Sequence, residues 1–172
     1  MSEVVDFYKG AVVHPDGYTF DGVLNSDDYF LAVKHNYIQW LFPLKKGSEA
    51  VPGSPILSAQ EVQLFRTDPE LRRRLIRSFH RILKFYGFQF TVEKDRKPRI
   101  TKAADFEERR KDWLTPHNHN YRRISRILES LRLLGLPDFA TMFFAVLQNV
   151  YQEHSSLIEW TTFSFWKEAA GQ

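Results

Sequence analysis

The sequence predicts an all-α fold, a mainly helical bundle that forms a single domain over residues 1–172. Three observations lead to this prediction: apolar residues recur at spacings of three and four, capping signals precede the apolar runs, and strand-like alternation is confined to one short stretch. The chain contains 43% hydrophobic residues, enough for a sizeable core. Because 15% of its residues are aromatic, rings are expected to dominate the packing.

The first predicted elements are short. Asp27 or Ser26 is expected to cap a helix that runs towards His35. Pro43 should end the next helical stretch, because the residue before a proline is disfavoured in the helical region. The segment Lys45–Pro55 is rich in Gly, Ser and Pro, which predicts a surface loop.

Stronger signals mark the next two helices. Ser58–Glu61 fits a capping box. Asp68 and Pro69 occupy the N-cap and first position of the following helix, and Gly87 fits the position just after its end. Apolar residues of this helix recur as one buried face, namely Leu71, Leu75, Ile76, Phe79, Ile82, Leu83 and Tyr86.

Residues 88–101 leave two interpretations open. Phe88–Val92 alternates apolar and polar residues, as a strand does, and Arg99–Thr101 fits a returning strand, which gives one short β-hairpin. The other interpretation is a mobile loop. After this segment, Asp105–Leu114 is expected to form a short charged helix.

Three helices are predicted in the last third of the chain. Asn118 or Asn120 caps the first of them and Gly135 closes it, while Pro137 begins the second. Ser156–Glu159 fits a capping box for a final helix. We favour a core role over a partner surface for the aromatic residues of that helix, Trp160, Phe163, Phe165 and Trp166.

Composition excludes several classes of function. The chain has no cysteine, so disulfides, thiolate nucleophiles and Cys-ligated zinc are excluded. No apolar run suits a signal peptide or a membrane helix, so a soluble cytoplasmic protein is expected, or a nuclear one in a eukaryote. The net charge of +3 is too weak to demand a polyanionic partner. Nothing indicates the oligomeric state.

Catalytic and metal motifs are not evident in the sequence. There is no GxSxG nucleophile motif and no Gly-rich phosphate loop. His117 and His119 are too few and too closely spaced for a zinc site, and capping by the asparagines beside them explains the run better. We therefore expect a non-enzymatic protein without a cofactor or a metal.

Three pieces of the chain resemble one known family. The first is Phe7-Tyr8 followed by Pro15–Gly17, and the second is Asp27–Tyr29 leading to the decapeptide His35–Leu44. The third piece comprises Phe85–Gly87, His119-Asn120, Arg123–Leu128 and Leu134–Leu136. In this order and spacing they resemble the conserved N-terminal region of the opioid growth factor receptor family, over roughly residues 5–150. The string YIQWLFP is the most specific part.

This resemblance implies a recognition function. Animal members of the family are described as receptors for the pentapeptide methionine-enkephalin, linked to restraint of cell growth and to the nucleus. Their long C-terminal extensions do not appear in this chain, and the family provides no catalytic residues to map. The resemblance therefore implies a non-enzymatic domain that binds a peptide or protein partner.

The candidate ligand site combines two polar segments. His35 and Gln39 are four residues apart, which would place them on one helix face beside Trp40. Facing helices would form a pocket with an aromatic wall and arginine forks for an anion. The alternative is a buried structural network. The candidate residues are His35, Gln39, Trp40, His119, Asn120, Arg123 and Arg126.

A basic helix face supports a different class of function. Arg72–Lys84 places several cations on one side of a helix, a pattern typical of nucleic-acid binding modules. The alternative is a solvated face balanced by nearby carboxylates. The nucleic-acid candidates are Arg73, Arg74, Arg77, Arg81 and Lys84.

Overall fold

A computed structural model describes residues 2–92 and 94–172. Within them ten α-helices, one 3₁₀ turn at Arg110–Asp112 and one two-stranded sheet follow one another, which confirms the mainly helical prediction. The strands are β1 (Phe88–Val92) and β2 (Pro98–Lys102). The helices are α1 (Glu3–Lys9), α2 (Phe20–Asn25), α3 (Asp28–Val33), α4 (Ile38–Leu41), α5 (Ala59–Thr67), α6 (Pro69–Tyr86), α7 (Phe106–Arg109), α8 (Asn120–Leu133), α9 (Pro137–Glu153) and α10 (Trp160–Ala170).

The helices group into two compact units. The first unit comprises the chain up to Arg81 together with Leu133–Gly135, and the second comprises Ile82–Arg132 together with Leu136–Gln172. The sequence-based prediction of a single domain over residues 1–172 stays a prediction.

Aromatic rings fill the core of the first unit. Phe7 packs edge-to-face on Trp40 with the ring centroids 5.3 Å apart, and Tyr8 packs similarly on Phe65 at 4.9 Å. The buried Tyr8 hydroxyl donates to the carbonyl of Leu41 at 2.5 Å. This bond satisfies a polar group inside an apolar core and ties α1 to α4.

Two buried tryptophans organise the second unit. The Trp113 indole N–H donates to the Tyr86 carbonyl at 3.1 Å, and the Trp166 indole N–H donates to the Tyr121 carbonyl at 3.0 Å. Both indoles are completely buried. Leaving a buried donor unpaired costs about 1–3 kcal/mol, so these two bonds fix the orientation of each ring.

The predicted starts of α5 and α6 are confirmed. The Ser58 hydroxyl accepts from the backbone N–H of Glu61 at 3.3 Å, and the Glu61 carboxylate accepts from the backbone N–H of Ser58 at 2.5 Å. Asp68 accepts from the N–H of Glu70 at 2.8 Å. Gly87 ends α6 with a φ of 81°, as its position predicts.

The other predicted caps are resolved in favour of one residue each. Asp27, rather than Ser26, caps α3 by accepting from the N–H of Phe30 at 2.7 Å. Asn118 supplies the side-chain acceptor at the start of α8, with its oxygen 3.0 Å from the backbone nitrogen of Asn120. Local capping chemistry therefore sets these boundaries.

The hairpin interpretation of residues 88–101 is confirmed. β1 and β2 pair antiparallel with Phe90 opposite Ile100, and β2 is longer than the predicted Arg99–Thr101. Ile100 is buried, and Lys102 at the end of β2 forms an ion pair with Glu153 of α9. The lysine nitrogen also lies 4.8 Å from the centroid of the Phe106 ring.

Two predictions for the second half of the chain are wrong in detail. Ser156 does not begin the last helix, because α10 begins at Trp160. The His154 carbonyl instead accepts from the Leu157 N–H at 2.9 Å, which closes a turn before the helix. The helix expected over Asp105–Leu114 consists only of α7 and the 3₁₀ turn, since the completely buried Trp113 leaves the helical conformation.

Candidate functional site

A groove runs along the outer face of α6 in the first unit. Its α6 residues recur at spacings of three and four, on a different side from the buried residues Leu71, Leu75 and Phe79. Leu24 and Asn25, at the end of α2, complete the lining, and the cavity measures about 520 Å³. We call it the α6 groove. Its α6 residues are Pro69, Arg72, Arg73, Ile76, Arg77, His80 and Arg81.

Apolar and cationic side chains share this groove. Leu24, Pro69 and Ile76 supply the apolar surface, and four arginines supply positive charge. Its spacing predicts that Ile76 belongs to the buried face of α6, but the residue is only half-buried. It follows Leu75 directly and is rotated from it by about 100° around the helix, which turns it towards the groove.

Two of the lining arginines are anchored by carboxylates. Arg77 donates to Asp21 at 2.8 Å, in a pair whose side chains are 48% and 56% exposed. Arg81 donates to Asp28 at 2.8 Å and is more deeply placed, with 13% of its side chain exposed. The Arg81 Nη2 also donates to the Ser26 carbonyl at 2.8 Å, whereas its Nη1 has no hydrogen-bond partner among the described residues.

The other two lining arginines differ from each other. Arg72 donates to the Gly135 carbonyl at 2.8 Å and so binds the end of a helix. Arg73 is exposed and forms no hydrogen bond or ion pair with any residue in 2–92 or 94–172. Its guanidinium therefore keeps its five donors for solvent or for a ligand.

The charge of the groove is moderate. The stretch Pro69–Arg81 contains five arginines and one glutamate, a formal charge of +4. Asp21 and Asp28 pair with two of these arginines and reduce the local charge to +2. Partial desolvation lowers the pKa of His80 below its usual value, so this lining residue is mostly neutral at pH 7.

The residues proposed for nucleic-acid binding are distributed unevenly. Arg73, Arg77 and Arg81 line the α6 groove. Arg74 donates to Glu70 at 3.1 Å and lies over the Phe20 ring, 5.4 Å from its centroid. Lys84 is exposed and belongs to the second unit. The nucleic-acid interpretation of this face stays a prediction.

The candidate residues His35 and Gln39, around the start of α4, form a local arrangement in the first unit. His35 is exposed and precedes α4, which begins at Ile38, so the prediction that His35 and Gln39 share a helix face is wrong. With its amide oriented so that both ends are satisfied, the Gln39 nitrogen donates to the carbonyls of His35 and Asn36, each at 3.1 Å. Gln39 thus stabilises a bend, which interrupts the helix expected there.

Trp40 is a core residue of the first unit. It is 6% exposed, and its ring lies 5.3 Å from Phe7 and 5.2 Å from the imidazole of His14. The side chain that was predicted to form the wall of a pocket therefore packs mainly against other rings.

The candidate residues of α8 belong to a buried network in the second unit. The Asn120 oxygen accepts from the Tyr86 hydroxyl and from Arg123, both at 3.2 Å, and its nitrogen donates to Asn118 at 2.9 Å. Asn120 and Arg123 are both buried, while His119 is exposed. These bonds are the kind that the structural interpretation predicts.

Arg126 lies one turn further along α8. Burial lowers the pKa of its guanidinium to about 10, and the carboxylate of Glu129 opposes this shift. The group therefore remains protonated at pH 7. Three of the seven candidate residues lie in the first unit and four in the second, and their role as one ligand site stays a hypothesis.

Sequence reasoning missed the groove, although one signal for it was present. Arginine, isoleucine and histidine recur at spacings of three and four along α6, beside the core stripe. The wall supplied by Leu24 and Asn25 comes from far earlier in the chain, and no local pattern predicts that contact.

Two further features, a metal site and a membrane-spanning helix, are not present among the described residues. No group of three His, Asp or Glu side chains among them is placed to hold a metal ion. None of their helices combines the length and the apolar character needed to cross a membrane.

The fold and the groove define a class of protein: a mainly helical protein whose units are packed around aromatic rings, with a cationic groove on one helix. The chain belongs to the opioid growth factor receptor family, since the family model described as the opioid growth factor receptor conserved region matches residues 2–169. The sequence resemblance to this family is thus confirmed.

Curated relatives agree with this assignment. The opioid growth factor receptor of Mus musculus is 37% identical over 139 residues, which cover 78% of this chain and 21% of the relative. The opioid growth factor receptor of Homo sapiens is 34% identical over 139 residues, which cover 78% of this chain and 20% of the relative. Opioid growth factor receptor-like protein 1 of Mus musculus is 35% identical over 137 residues, 77% of this chain and 28% of the relative.

The chain spans between 20% and 28% of the length of these relatives. The comparison with solved structures finds no match.

Proposed function

We propose that the chain is a non-enzymatic recognition domain that binds a peptide or a segment of a partner protein in the α6 groove. The observation that carries this proposal is the combination of apolar and cationic side chains around one cavity of about 520 Å³. Ligand sites typically measure about 300–1,000 Å³ and join apolar surface to a few polar groups.

The chemistry of the lining suits a peptide. Pro69 and Ile76 offer surface for an apolar side chain, while Arg73 and Arg77 offer planar forks that match a carboxylate. Every peptide with a free C-terminus carries one such carboxylate.

The names of the relatives support the same class of function. Two of them are called receptors of an opioid growth factor, and the resemblance of this chain implies the pentapeptide methionine-enkephalin as a ligand of the family. Because the chain corresponds to about a fifth of those proteins, a ligand of the whole receptor is a hypothesis for this domain. Methionine-enkephalin is therefore one probe among several.

The polar residues suggested by the sequence are competing candidates for ligand contact. Gln39, Asn120 and Arg123 are buried and use their polar groups in internal hydrogen bonds. A ligand would have to replace these bonds, and a buried polar group left unpaired costs about 1–3 kcal/mol. This comparison favours the α6 groove.

Peptide selection followed by mapping tests the proposal. A displayed library of random peptides is selected on the immobilised chain, and the selected peptides and methionine-enkephalin are titrated into isotope-labelled protein. We expect the largest amide shift changes at α6 and at the end of α2. Ile76→Asp should weaken binding by about tenfold or more, because it places a charge in the apolar part of the groove.

A matched substitution and a second site serve as controls. Leu64→Asp also replaces an apolar residue by a charge, but Leu64 is an exposed residue of α5 outside the groove lining, so binding should be unchanged. Binding could instead survive Ile76→Asp and be lost in a correctly folded Arg123→Ala or Arg126→Ala variant. This result would show that the polar residues, and not the α6 groove, bind the ligand. If no peptide shows binding that depends on Ile76, the α6 groove is refuted as the binding site.

A further inference from the structure

We propose that the α6 groove recognises an acidic segment of a partner protein that also carries a bulky apolar side chain. This inference rests on the proposed function, because it assumes that the groove binds a peptide chain, and it adds the chemistry of that chain. The observation that supports it is the group of arginines around an apolar surface, to which an acidic segment would be complementary in charge.

Two arginines are available to carboxylates of a partner. Arg73 is exposed and unpaired among the described residues, and Arg77 follows it by four residues, so the two side chains extend from successive turns of one helix face. Both line the groove together with Ile76. A partner with two carboxylates beside an apolar side chain would match all three.

The internal pair of Arg77 leaves room for exchange. Asp21 holds Arg77 at 2.8 Å, but both side chains are about half exposed. Exposed ion pairs of this kind are worth only about 0–1 kcal/mol, so an incoming carboxylate can replace or share Asp21 at little cost. Asp21 thus acts as an internal competitor for the partner.

The same features disfavour a polynucleotide. Single-stranded nucleic acids are bound by a basic track and by aromatic side chains on which bases stack. Within the described part of the chain, the groove lining contains no Phe, Tyr or Trp on which a base could stack. A short acidic peptide with an apolar anchor fits this lining better.

Defined probes test the class of ligand. The peptide Glu-Glu-Leu-Phe-Glu-Glu is compared with Lys-Lys-Leu-Phe-Lys-Lys, with Glu-Glu-Ser-Ser-Glu-Glu and with single-stranded oligothymidine. All carry a fluorophore, and all are titrated with the full chain at about 50 and about 200 mM salt. We expect the first peptide to bind most tightly, with both its charges and its apolar residues required.

Charge reversal on α6 locates the contact. Arg73→Glu should weaken binding of the acidic peptide by about tenfold or more, the usual effect of losing a charge-assisted hydrogen bond. Lys84→Glu changes the charge equally on the same helix, but outside the groove lining, and should change the affinity by less than about twofold. Equal losses in both variants would overturn the assignment of the contact to the groove.

A second pair of variants predicts a gain. Asp21→Asn removes the competitor of the partner carboxylate and should strengthen binding of the acidic peptide by about two- to fivefold. Glu70→Gln removes the same charge from the pair with Arg74, which does not line the groove, and should have a smaller effect. Equal gains in both variants would indicate a general effect of the net charge. They would contradict direct competition between Asp21 and the partner carboxylate for Arg77.

The possible failures are distinguishable. If the lysine peptide or an uncharged selected peptide binds best, and Ile76→Asp still abolishes that binding, the groove is a peptide site but the acidic class is wrong. If no peptide binding depends on Ile76, the proposed function fails as well. Tighter binding of oligothymidine, lost in Arg73→Glu, would assign the face to nucleic acid and overturn the inference.

Discussion

At the scale of the residue, Gly87 shows how a single absent carbon determines a local structure. It adopts a φ of 81° directly after α6, and a Cβ atom there would lie 2.9 Å from the Cα of Phe106. That neighbour is backbone and cannot rotate away. Two independent constraints therefore require glycine at this position.

We predict that Gly87→Ala lowers the free energy of unfolding by about 2–4 kcal/mol, because backbone strain and steric overlap add. Gly17→Ala is the matched control, since Gly17 has a φ of 85° but the added carbon would have no atom within 4 Å beyond the glycine and its two chain neighbours. It should lose only about 1–2 kcal/mol. Chemical denaturation of both variants measures the difference, and equal losses would show that the contact with Phe106 is unimportant.

Single residues also explain why the sequence-based site was incomplete. Gln39 looks like a candidate ligand residue because core packing does not require an amide. In the structure its nitrogen donates to two backbone carbonyls at the bend before α4. Sequence alone does not distinguish these roles, because both need the same hydrogen-bonding group in the same apolar string.

At the scale of the element, the starts of helices depend on short-range chemistry. We predict that Ser58→Ala destabilises the protein by about 1 kcal/mol, since it removes the hydroxyl that accepts from the Glu61 N–H at the start of α5. Thermal or chemical unfolding provides the measurement.

Ser156 offers a matched control for this prediction. It occupies the first position of a similar sequence motif but lies in the turn before α10. Ser156→Ala should change the free energy of unfolding by less than about 0.5 kcal/mol, as expected for a surface substitution. A loss as large as that of Ser58→Ala would mean that Ser156 does cap the final helix.

Elements were predicted well where their signals are local. The caps at Asp27, Ser58 and Asp68 involve residues two or three positions away, and a sequence window contains both partners. The false signal at Ser156 arose because the turn closed by His154 competes with the cap. The α6 groove was not predicted, because its second wall comes from α2.

At the scale of the whole molecule, the shifted pKa values of several ionisable groups bear on stability. At pH 7 these groups are in the charge state that the folded structure favours. Burial lowers the pKa of His14 and His80. Hydrogen bonds lower the pKa of Asp16 and Asp68, chiefly those from Asn36 and Lys9. Burial raises the pKa of Tyr121 to about 12.

We predict that stability falls in two stages on acidification. The unfolded chain takes up protons on histidine below about pH 6.5, before the folded chain does, so the first loss begins there. The second begins below about pH 4, where the depressed carboxylates take up protons in the unfolded chain first. Above about pH 10 the unfolded tyrosines ionise first, and stability falls again. Urea denaturation across this range measures the profile.

A histidine variant tests the first stage. His14 is 3% exposed, and its Nδ1 accepts from the Asp16 N–H at 3.0 Å, which requires the nitrogen to be unprotonated. His14→Gln should therefore reduce the loss between about pH 7 and about pH 5. His117→Gln, at an imidazole whose side chain is 80% exposed, is the control. An unchanged profile in the His14 variant would contradict this account.

The placement of the four indoles has a spectroscopic consequence. Trp40 is the one tryptophan among the residues of the first unit, whereas Trp113, Trp160 and Trp166 belong to the second. Trp160 is 63% exposed and reports contact with water or quencher, while the buried three report loss of the core. Phenylalanine replacements in the second unit would leave Trp40 as a single fluorophore beside Phe7 and His14. Its emission would then follow the melting of the unit that contains the α6 groove.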